Sequence, residues 1–103
     1  MKHVKSFYKD KHWESKRQAI LKRDNYKCRQ CSRYGKAIPA SAVHHINQLE
    51  ENPELALIDD NLLSLCDECH NVMHDRINNT LTLLGLQWVA RVELKLINIK
   101  RNV

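Results

Sequence analysis

Residues 61–74 read NLLSLCDECHNVMH and join a cysteine pair directly to a histidine pair. Two residues separate Cys66 from Cys69, and His70 follows at once, with His74 four positions further on. On a helix, two side chains four residues apart lie on the same face, so both imidazoles can bind one metal ion. We therefore predict that the last helix of the fold carries a metal site directly beside a cysteine site.

A second cysteine pair lies upstream, with 34 residues between the two pairs. Zinc favours four tetrahedral ligands, and two Cys-x-x-Cys turns supply four thiolates that leave no position for water. The opening MKHVKSFYKD lacks the apolar core of a signal peptide, so we expect a cytoplasmic, reducing location that favours metal thiolates over disulfides. Four free or redox-active cysteines are the alternative. The predicted ligands of this structural Zn2+ are Cys28, Cys31, Cys66 and Cys69.

The hydrophobic pattern predicts one small domain around these pairs. At 103 residues, the chain has room for a single α+β domain over residues 1–103, with a core thin enough to depend on a bound metal. Asp10 can cap the first helix, and Asn25 can end it. No run of about 20 apolar residues is present to span a bilayer. The predicted elements are a helix over 10–24, strands over 37–46 and 61–66, and a helix over 68–77.

The C-terminal residues 77–103 carry no motif, and their structure is the least certain part of the prediction. Between Leu86 and Leu96, the even positions are apolar and the odd ones mostly polar, an alternation that favours a strand. A helix is the alternative, because Leu, Ala, Glu and Lys all propagate one well. The apolar face of this segment either completes the core or pairs with another copy of the chain.

Basic residues concentrate in the first third of the chain. Residues 1–36 hold twelve Lys and Arg against three acidic residues, whereas residues 37–103 hold five against nine. A basic surface on a small domain is expected of a protein that binds a polyanion, and a solvated helix face is the alternative. The candidate phosphate contacts are Lys16, Arg17, Lys22, Arg23, Lys27, Arg29 and Arg33.

The order and spacing of these features resemble the HNH endonuclease motif. The resemblance covers about residues 7–76, and the opening at residues 7–28 is similar to small bacteriophage-encoded HNH proteins, some of which work beside the DNA-packaging machinery. The matching elements, in order, are Cys28-x-x-Cys31, VHHI at 43–46, DNL at 60–62 and LCDECHNVMH at 65–74.

The resemblance implies a ββα-metal fold of treble-clef type, in which a hairpin and a helix clasp one divalent ion. It makes His44, His70 and His74 the ligands of that ion. It makes His45 the general base, with Asn61 holding the hairpin loop and orienting that imidazole. The implied reaction is one-metal hydrolysis of DNA that leaves 5′-phosphate and 3′-hydroxyl ends, and the resemblance implies Mg2+ or Mn2+ as the ion. Three imidazole ligands suit Zn2+, Ni2+, Co2+ or Mn2+ better than Mg2+, so the candidate ions are Mg2+, Mn2+, Ni2+ and Zn2+.

The adjacent histidines impose a geometric condition on this hypothesis. Neighbouring residues of a strand face opposite sides. His44 and His45 can therefore serve one site only if the strand ends or bulges there, and we predict that it does. A neutral imidazole, with an ordinary pKa near 6.5, can accept a proton from water.

The expected partners are DNA and, through the phage resemblance, a terminase or other packaging proteins, with the chain acting as a monomer or a homodimer. One rival hypothesis is a zinc-containing DNA-binding module without catalysis, which does not account for the spacing of the histidines and Asn61. The other is an interaction module of the packaging complex, which stays open because residues 77–103 carry no motif. We favour a metal-dependent DNA endonuclease.

Overall fold

The computed structural model describes residues 6–101, with side chains up to residue 97. Two short antiparallel strand pairs alternate with helices, and the 3₁₀ turns Pro53–Leu55 and Asp59–Asn61 shape the loop of the first pair. No helix in this part of the chain combines the length and hydropathy needed to cross a membrane. In chain order the elements are α1 (Lys11–Arg23), α2 (Arg29–Ser32), β1 (Ala42–His45), β2 (Leu62–Leu65), α3 (Asp67–Asn71), β3 (His74–Asp75), β4 (Thr80–Leu81) and α4 (Leu83–Arg101).

The predicted first helix is confirmed as α1. Asp10 caps it, because its carboxylate accepts a hydrogen bond of 2.7 Å from the His12 amide. The helix ends before Asn25, which adopts a left-handed conformation with a φ of 55° that asparagine tolerates better than most residues. The buried face packs against Val43 and Leu62 of the first hairpin. Its buried residues are Trp13, Ile20 and Leu21.

The first hairpin separates two hydrophobic clusters. Strands β1 and β2 pair antiparallel, with Ala42 opposite Leu65 and His45 opposite Leu62. Side chains alternate across the pair, so Leu62 packs in the cluster with α1, whereas Leu63 and Leu65 pack in the cluster with α4. The hairpin is therefore covered on both faces and forms the centre of the domain.

The predicted strands over 37–46 and 61–66 are both present, but they are shorter than expected. Pro39 cannot donate a ladder hydrogen bond, and it forms only an isolated bridge before the strand begins. In the second strand, Asn61 belongs to a 3₁₀ turn and Cys66 caps the following helix. The second strand is therefore shorter than predicted, because Asn61 belongs to the preceding loop and Cys66 to the following helix cap.

The predicted helix over 68–77 is wrong in its second half. Helix α3 has only five residues, and His74 lies in β3, which pairs with β4. The Thr82 amide donates a hydrogen bond of 3.0 Å to the Met73 carbonyl. A continued helix would instead pair this carbonyl with the amide four residues further on. Met73 is also fully buried. His74 thus reaches His70 from a strand and not from the next turn of a helix.

The predicted strand over 86–96 is also wrong, since these residues lie in α4. Residues four positions apart lie on the same side of a strand and also on the same face of a helix. Apolar residues at the even positions therefore fit both structures, and the prediction chose the wrong one. The other even positions distinguish the two structures, because Leu86 and Leu94 are 52% and 83% exposed. Helix α4 completes the larger hydrophobic cluster. Its residues there are Trp88, Val92 and Leu96.

Candidate functional site

The four predicted zinc ligands converge where two short helices begin. Cys28 and Cys66 cap α2 and α3, and each sulfur accepts a hydrogen bond from the amide three residues on, at 3.4 and 3.5 Å. The Cys31 sulfur lies 4.0 Å from that of Cys66 and 3.7 Å from that of Cys69. Zinc–sulfur bonds of about 2.3 Å in a tetrahedron separate the sulfurs by about 3.8 Å. All four sulfurs lie within 4.8 Å of one another, so the group is positioned to bind a metal.

Three histidines from three different elements form a second group of candidate ligands. His44 lies in β1, His70 in α3 and His74 in β3, and their ring centroids are 5.0, 5.4 and 5.6 Å apart. One ring nitrogen of each lies within 4.8 Å of those of the other two. His44 is 1% exposed, and its Nε2 has no hydrogen-bond partner among the described residues. A buried polar atom without a partner costs about 1–3 kcal/mol, so this nitrogen suits a metal ligand.

Burial holds the three imidazoles in their neutral form. Together with the neighbouring His74 and His70, it lowers the pKa of His44 to about 3. Burial also lowers the pKa of His70 and His74, with a further contribution from the positive charge of Arg76. Neutral imidazoles bind Zn2+, Ni2+, Co2+ or Mn2+ more readily than Mg2+, which prefers oxygen. Three ligands leave coordination positions open, as catalytic centres require.

His45 lies on the opposite face of β1 from His44 and packs against α1. Its ring stacks on Trp13 with 4.9 Å between centroids, and its Nε2 donates a hydrogen bond of 3.1 Å to the Ala56 carbonyl. A carbonyl can only accept, so the proton lies on Nε2 and Nδ1 keeps its lone pair. Burial lowers the pKa of His45, although the bond to Ala56 opposes this shift. The ring is therefore a neutral base with a fixed tautomer.

The prediction that the strand ends at the histidine pair is confirmed. Strand β1 stops at His45, and its pairing with β2 is regular up to that point. Although the two rings leave opposite faces of the strand, His44 and His45 both line one cleft of about 550 Å³. His70 and His74 line the same cleft. The structure thus brings the two predicted histidine pairs together.

Asn61 holds the loop of the first hairpin from inside the protein. It is fully buried, its Oδ1 accepts a hydrogen bond of 2.8 Å from the Asn47 amide, and its Nδ2 donates one of 3.3 Å to the Leu55 carbonyl. Its hydrogen bonds within the described residues do not include His45. Leu55 directly precedes Ala56, whose carbonyl binds the His45 ring. Any effect of Asn61 on that ring therefore passes through the loop backbone.

The cleft contains a cation that the sequence analysis missed. Arg76 follows β3 and is the one Lys or Arg among the described residues that line the cleft. Its Nη2 donates a hydrogen bond of 3.3 Å to the Asn71 side chain. The signal that could have found it is its position two residues after His74. The acidic residues of the lining are Glu50, Glu51 and Asp75.

The seven predicted phosphate contacts differ in how freely they face solvent. Arg23 bonds the Asp24 carboxylate at 2.8 and 2.9 Å and donates to the carbonyl groups of Asp59 and Leu62, so the fold itself uses this side chain. Lys16 is half-buried and forms an ion pair with Asp59. Arg17 is half-buried as well. The exposed members of the set, apart from Arg23, are Lys22, Lys27, Arg29 and Arg33.

A buried hairpin and a short helix thus hold two groups of candidate metal ligands in one small α+β domain. A family model described as HNH endonuclease matches residues 28–76. Among solved structures, the chain is similar to the crystal structure of the HNH endonuclease of the deep-sea thermophilic bacteriophage GVE2 with manganese ion. That match has 40% identity and a TM-score of 0.67, and covers 68% of this chain and 76% of that chain. No curated protein matches. The chain belongs to the HNH endonuclease family and is a nuclease.

Proposed function

We propose that the chain is a metal-dependent DNA endonuclease that hydrolyses phosphodiester bonds with His45 as general base. The observation that carries the proposal is the buried Nε2 of His44, which lacks a partner among the described residues and lies close to ring nitrogens of His70 and His74. A neutral imidazole of fixed tautomer ends the same strand. One cleft therefore offers both a metal site with open positions and a base.

Hydrolysis requires the attacking water to lose a proton as it approaches phosphorus. In this proposal the Nδ1 lone pair of His45 accepts that proton, because Ala56 occupies Nε2. Trp13 supports one face of the ring and keeps its orientation as it becomes charged. When bound, a divalent ion supplies Lewis-acid stabilisation of the charge that develops on the phosphoryl and leaving oxygens. The expected products carry 5′-phosphate and 3′-hydroxyl ends.

The two ligand groups call for different ions. The similar phage endonuclease was solved with manganese, and imidazole ligands accept Mn2+, so Mn2+ is the first candidate for the histidine group. Mg2+, Ni2+ and Zn2+ are the other candidates. For the cysteine group we propose Zn2+, because four thiolates in a closed tetrahedral shell form a common structural zinc site.

The proposed substrate is DNA, with Arg76 at the cleft as an additional candidate phosphate contact. Likeness to a bacteriophage protein supports a phage-encoded enzyme, while a link to terminase or other packaging proteins rests on the sequence resemblance. A non-catalytic binding module would not account for a neutral base of fixed tautomer beside a group of three candidate metal ligands. The proposed phosphate contacts outside the cleft are Lys22, Lys27, Arg29 and Arg33.

The number of copies that act together is a separate prediction. Leu83, Leu86 and Leu94 are exposed on the face of α4 that does not contribute to the core. A monomer and a homodimer are both compatible with this surface. Light scattering over a range of protein concentrations distinguishes them.

The test of the proposed reaction is nicking of supercoiled plasmid DNA with added Mn2+, Mg2+, Ni2+ or Zn2+. His12→Ala is the matched control for His45→Ala, because His12 is an exposed histidine on α1. Loss of a general base slows a reaction about 10²- to 10⁴-fold. We expect that loss for His45→Ala and the wild-type rate for His12→Ala.

Two results would contradict the proposal. If His45→Ala nicks as fast as the wild type, His45 is not the base. If the wild-type protein nicks DNA with none of the four ions, the endonuclease assignment fails. Thermal unfolding shows whether His45→Ala keeps its fold, and His45→Gln, which retains a side chain against Trp13, replaces it if the fold is lost.

A further inference from the structure

Three arginines surround the ring of Trp88 on the side of the domain that carries α2 and α4. The guanidinium carbons of Arg29, Arg33 and Arg91 lie 5.7, 6.0 and 4.7 Å from the ring centroid. Any two of these carbons are therefore separated by at most twice the longest of the three distances. The ring itself is 5% exposed, so the arginines cover it. We call these four residues the Trp88 cluster.

The ring at the centre of the cluster is fixed in position. Trp88 Nε1 donates a hydrogen bond of 2.8 Å to the Gln30 side chain, and Gln30 is itself buried. Gln30 lies in α2 beside Arg29, whereas Trp88 lies in α4 beside Arg91. This bond joins the two helices and keeps their arginines at one place. The cation–π contacts with the ring further stabilise the positions of the guanidinium groups.

The positive charge of the cluster is largely uncompensated. Among the described residues, the one carboxylate within ion-pair distance of the three guanidinium groups is Asp24, 3.5 Å from Arg29. Asp24 already bonds Arg23 at 2.8 Å. Arg33 and Arg91 have no ion-pair partner in the described part of the chain. Like charges held close together repel one another, so a bound anion would stabilise this arrangement.

The cluster also joins the two basic segments of the sequence. Residues 77–103 hold four Lys and Arg against one acidic residue, whereas residues 37–76 hold one against eight. Positive charge is therefore concentrated at the two ends of the sequence, and the segment with the catalytic histidines is acidic. The contacts of Arg29 and Arg33 with Trp88 connect the basic N-terminal segment to the basic C-terminal segment, which contains Arg91.

We propose that the Trp88 cluster is a site for the phosphate groups of a DNA backbone and that α4 is part of the DNA-binding surface. The planar guanidinium group binds phosphate through two parallel hydrogen bonds, and stacking on a fixed ring holds it ready to do so. None of the four residues lines the cleft, so the site positions DNA and takes no part in the reaction. The inference rests on the proposed function in that DNA is the substrate.

The test measures binding of a short fluorescein-labelled duplex by fluorescence anisotropy at several NaCl concentrations. The full chain carries His45→Ala and is compared with the same protein bearing Arg91→Gln or Arg33→Gln. Lys95→Gln is the matched control, because Lys95 is an exposed cation of α4 outside the cluster. Each lost phosphate contact reduces the slope of log K against log salt by about 0.9, and the affinity at 0.1 M salt roughly eight-fold. We expect these changes for both arginine variants and smaller ones for Lys95→Gln.

The control variants define what would overturn the site. Equal effects of Arg91→Gln and Lys95→Gln would show that only net charge matters. An unchanged slope for Arg91→Gln would show that Arg91 contacts no phosphate. Arg91→Lys keeps the charge and should keep the slope. If Arg91→Gln lowers the melting temperature, Arg91→Met, which retains apolar cover over the ring, takes its place in the comparison.

Because DNA binding is measured without cleavage, the proposal for the Trp88 cluster and the proposal for the endonuclease can each fail without the other. Nicking by the wild type together with an unchanged slope for Arg91→Gln overturns the cluster alone. Normal binding that depends on Arg91, with no nicking by the wild type, overturns the endonuclease alone.

Discussion

At the scale of single residues, the hydrogen-bond partner of the ring Nε2 distinguishes the roles of the adjacent His44 and His45. His44 and His45 are both buried, and burial lowers the pKa of both. The Nε2 of His44 has no partner among the described residues, whereas the Nε2 of His45 is bound to a backbone carbonyl. The first nitrogen therefore suits a metal ligand. The second fixes a tautomer that leaves a base on the other side of the ring.

Asn61 allows a prediction at this scale. Asn61→Ala would leave the Asn47 amide and the Leu55 carbonyl without partners in the interior, at a cost of about 2–3 kcal/mol in the free energy of unfolding. It should also slow nicking at temperatures where the variant is folded, because the loop that binds His45 is no longer held. Urea denaturation and plasmid nicking measure the two effects.

Asn52→Ala is the matched control for Asn61→Ala. The Asn52 side chain donates a hydrogen bond of 3.2 Å to the Gln48 carbonyl in the same loop, but it is only half-buried. Its loss should change both measurements little. Wild-type nicking by a folded Asn61→Ala protein would remove Asn61 from any role in positioning the base.

At the scale of elements, the sequence predicts what short-range patterns determine. Helix α1 has a cap and apolar residues at helical spacing, and both are local signals. The end of α3 depends on the bond from Thr82 to Met73, which no local pattern reveals. The four-residue spacing correctly predicted that His70 and His74 lie close together. It placed both on one helix, however, whereas His74 lies in β3. The packing of Arg29 and Arg33 on Trp88 was missed because it requires the relative positions of two helices.

The junction between α1 and β2 gives an element-scale prediction about pH. The Asp24 carboxylate, at the C-terminal end of α1, accepts hydrogen bonds from Arg23 and from the Ser64 amide in β2. Burial opposes its ionisation, but these hydrogen bonds outweigh burial and lower its pKa. A lowered pKa in the folded state stabilises the protein above the unfolded pKa, near 3.9, and this contribution is lost as the pH falls through the folded value.

Asp24→Asn should therefore destabilise the protein by about 1–3 kcal/mol at neutral pH. The difference from the wild type should shrink as the pH falls below about 4, because the wild-type carboxyl is then protonated too. The free energy of unfolding of both proteins, measured over a pH series, checks this. A difference that stays constant down to the most acidic point would mean that the charge of Asp24 does not hold the junction.

At the scale of the whole molecule, the cysteine group connects parts that are far apart in the sequence. It joins the turn after α1 to the start of α3, next to the histidine that follows Cys69. The hairpin splits the hydrophobic residues into two small clusters, so neither forms a large core. Structural zinc contributes about 10–16 kcal/mol in small domains, whereas a whole domain is stable by about 5–15 kcal/mol. The fold should therefore depend on the Zn2+ that we propose for the cysteine group.

The two metal groups should fail in different ways when a ligand is removed. Cys66→Ser should lose the structural ion together with cooperative thermal unfolding, and nicking should disappear with the fold. His74→Ala should lose nicking and the second ion, yet melt within a few degrees of the wild type, because His74 is only partly buried and lies outside both hydrophobic clusters. Circular dichroism and metal analysis of the purified proteins distinguish these patterns. A Cys66→Ser protein that melts cooperatively at the wild-type temperature would show that the two clusters hold the domain together without the ion. The position of the histidines would then need another explanation.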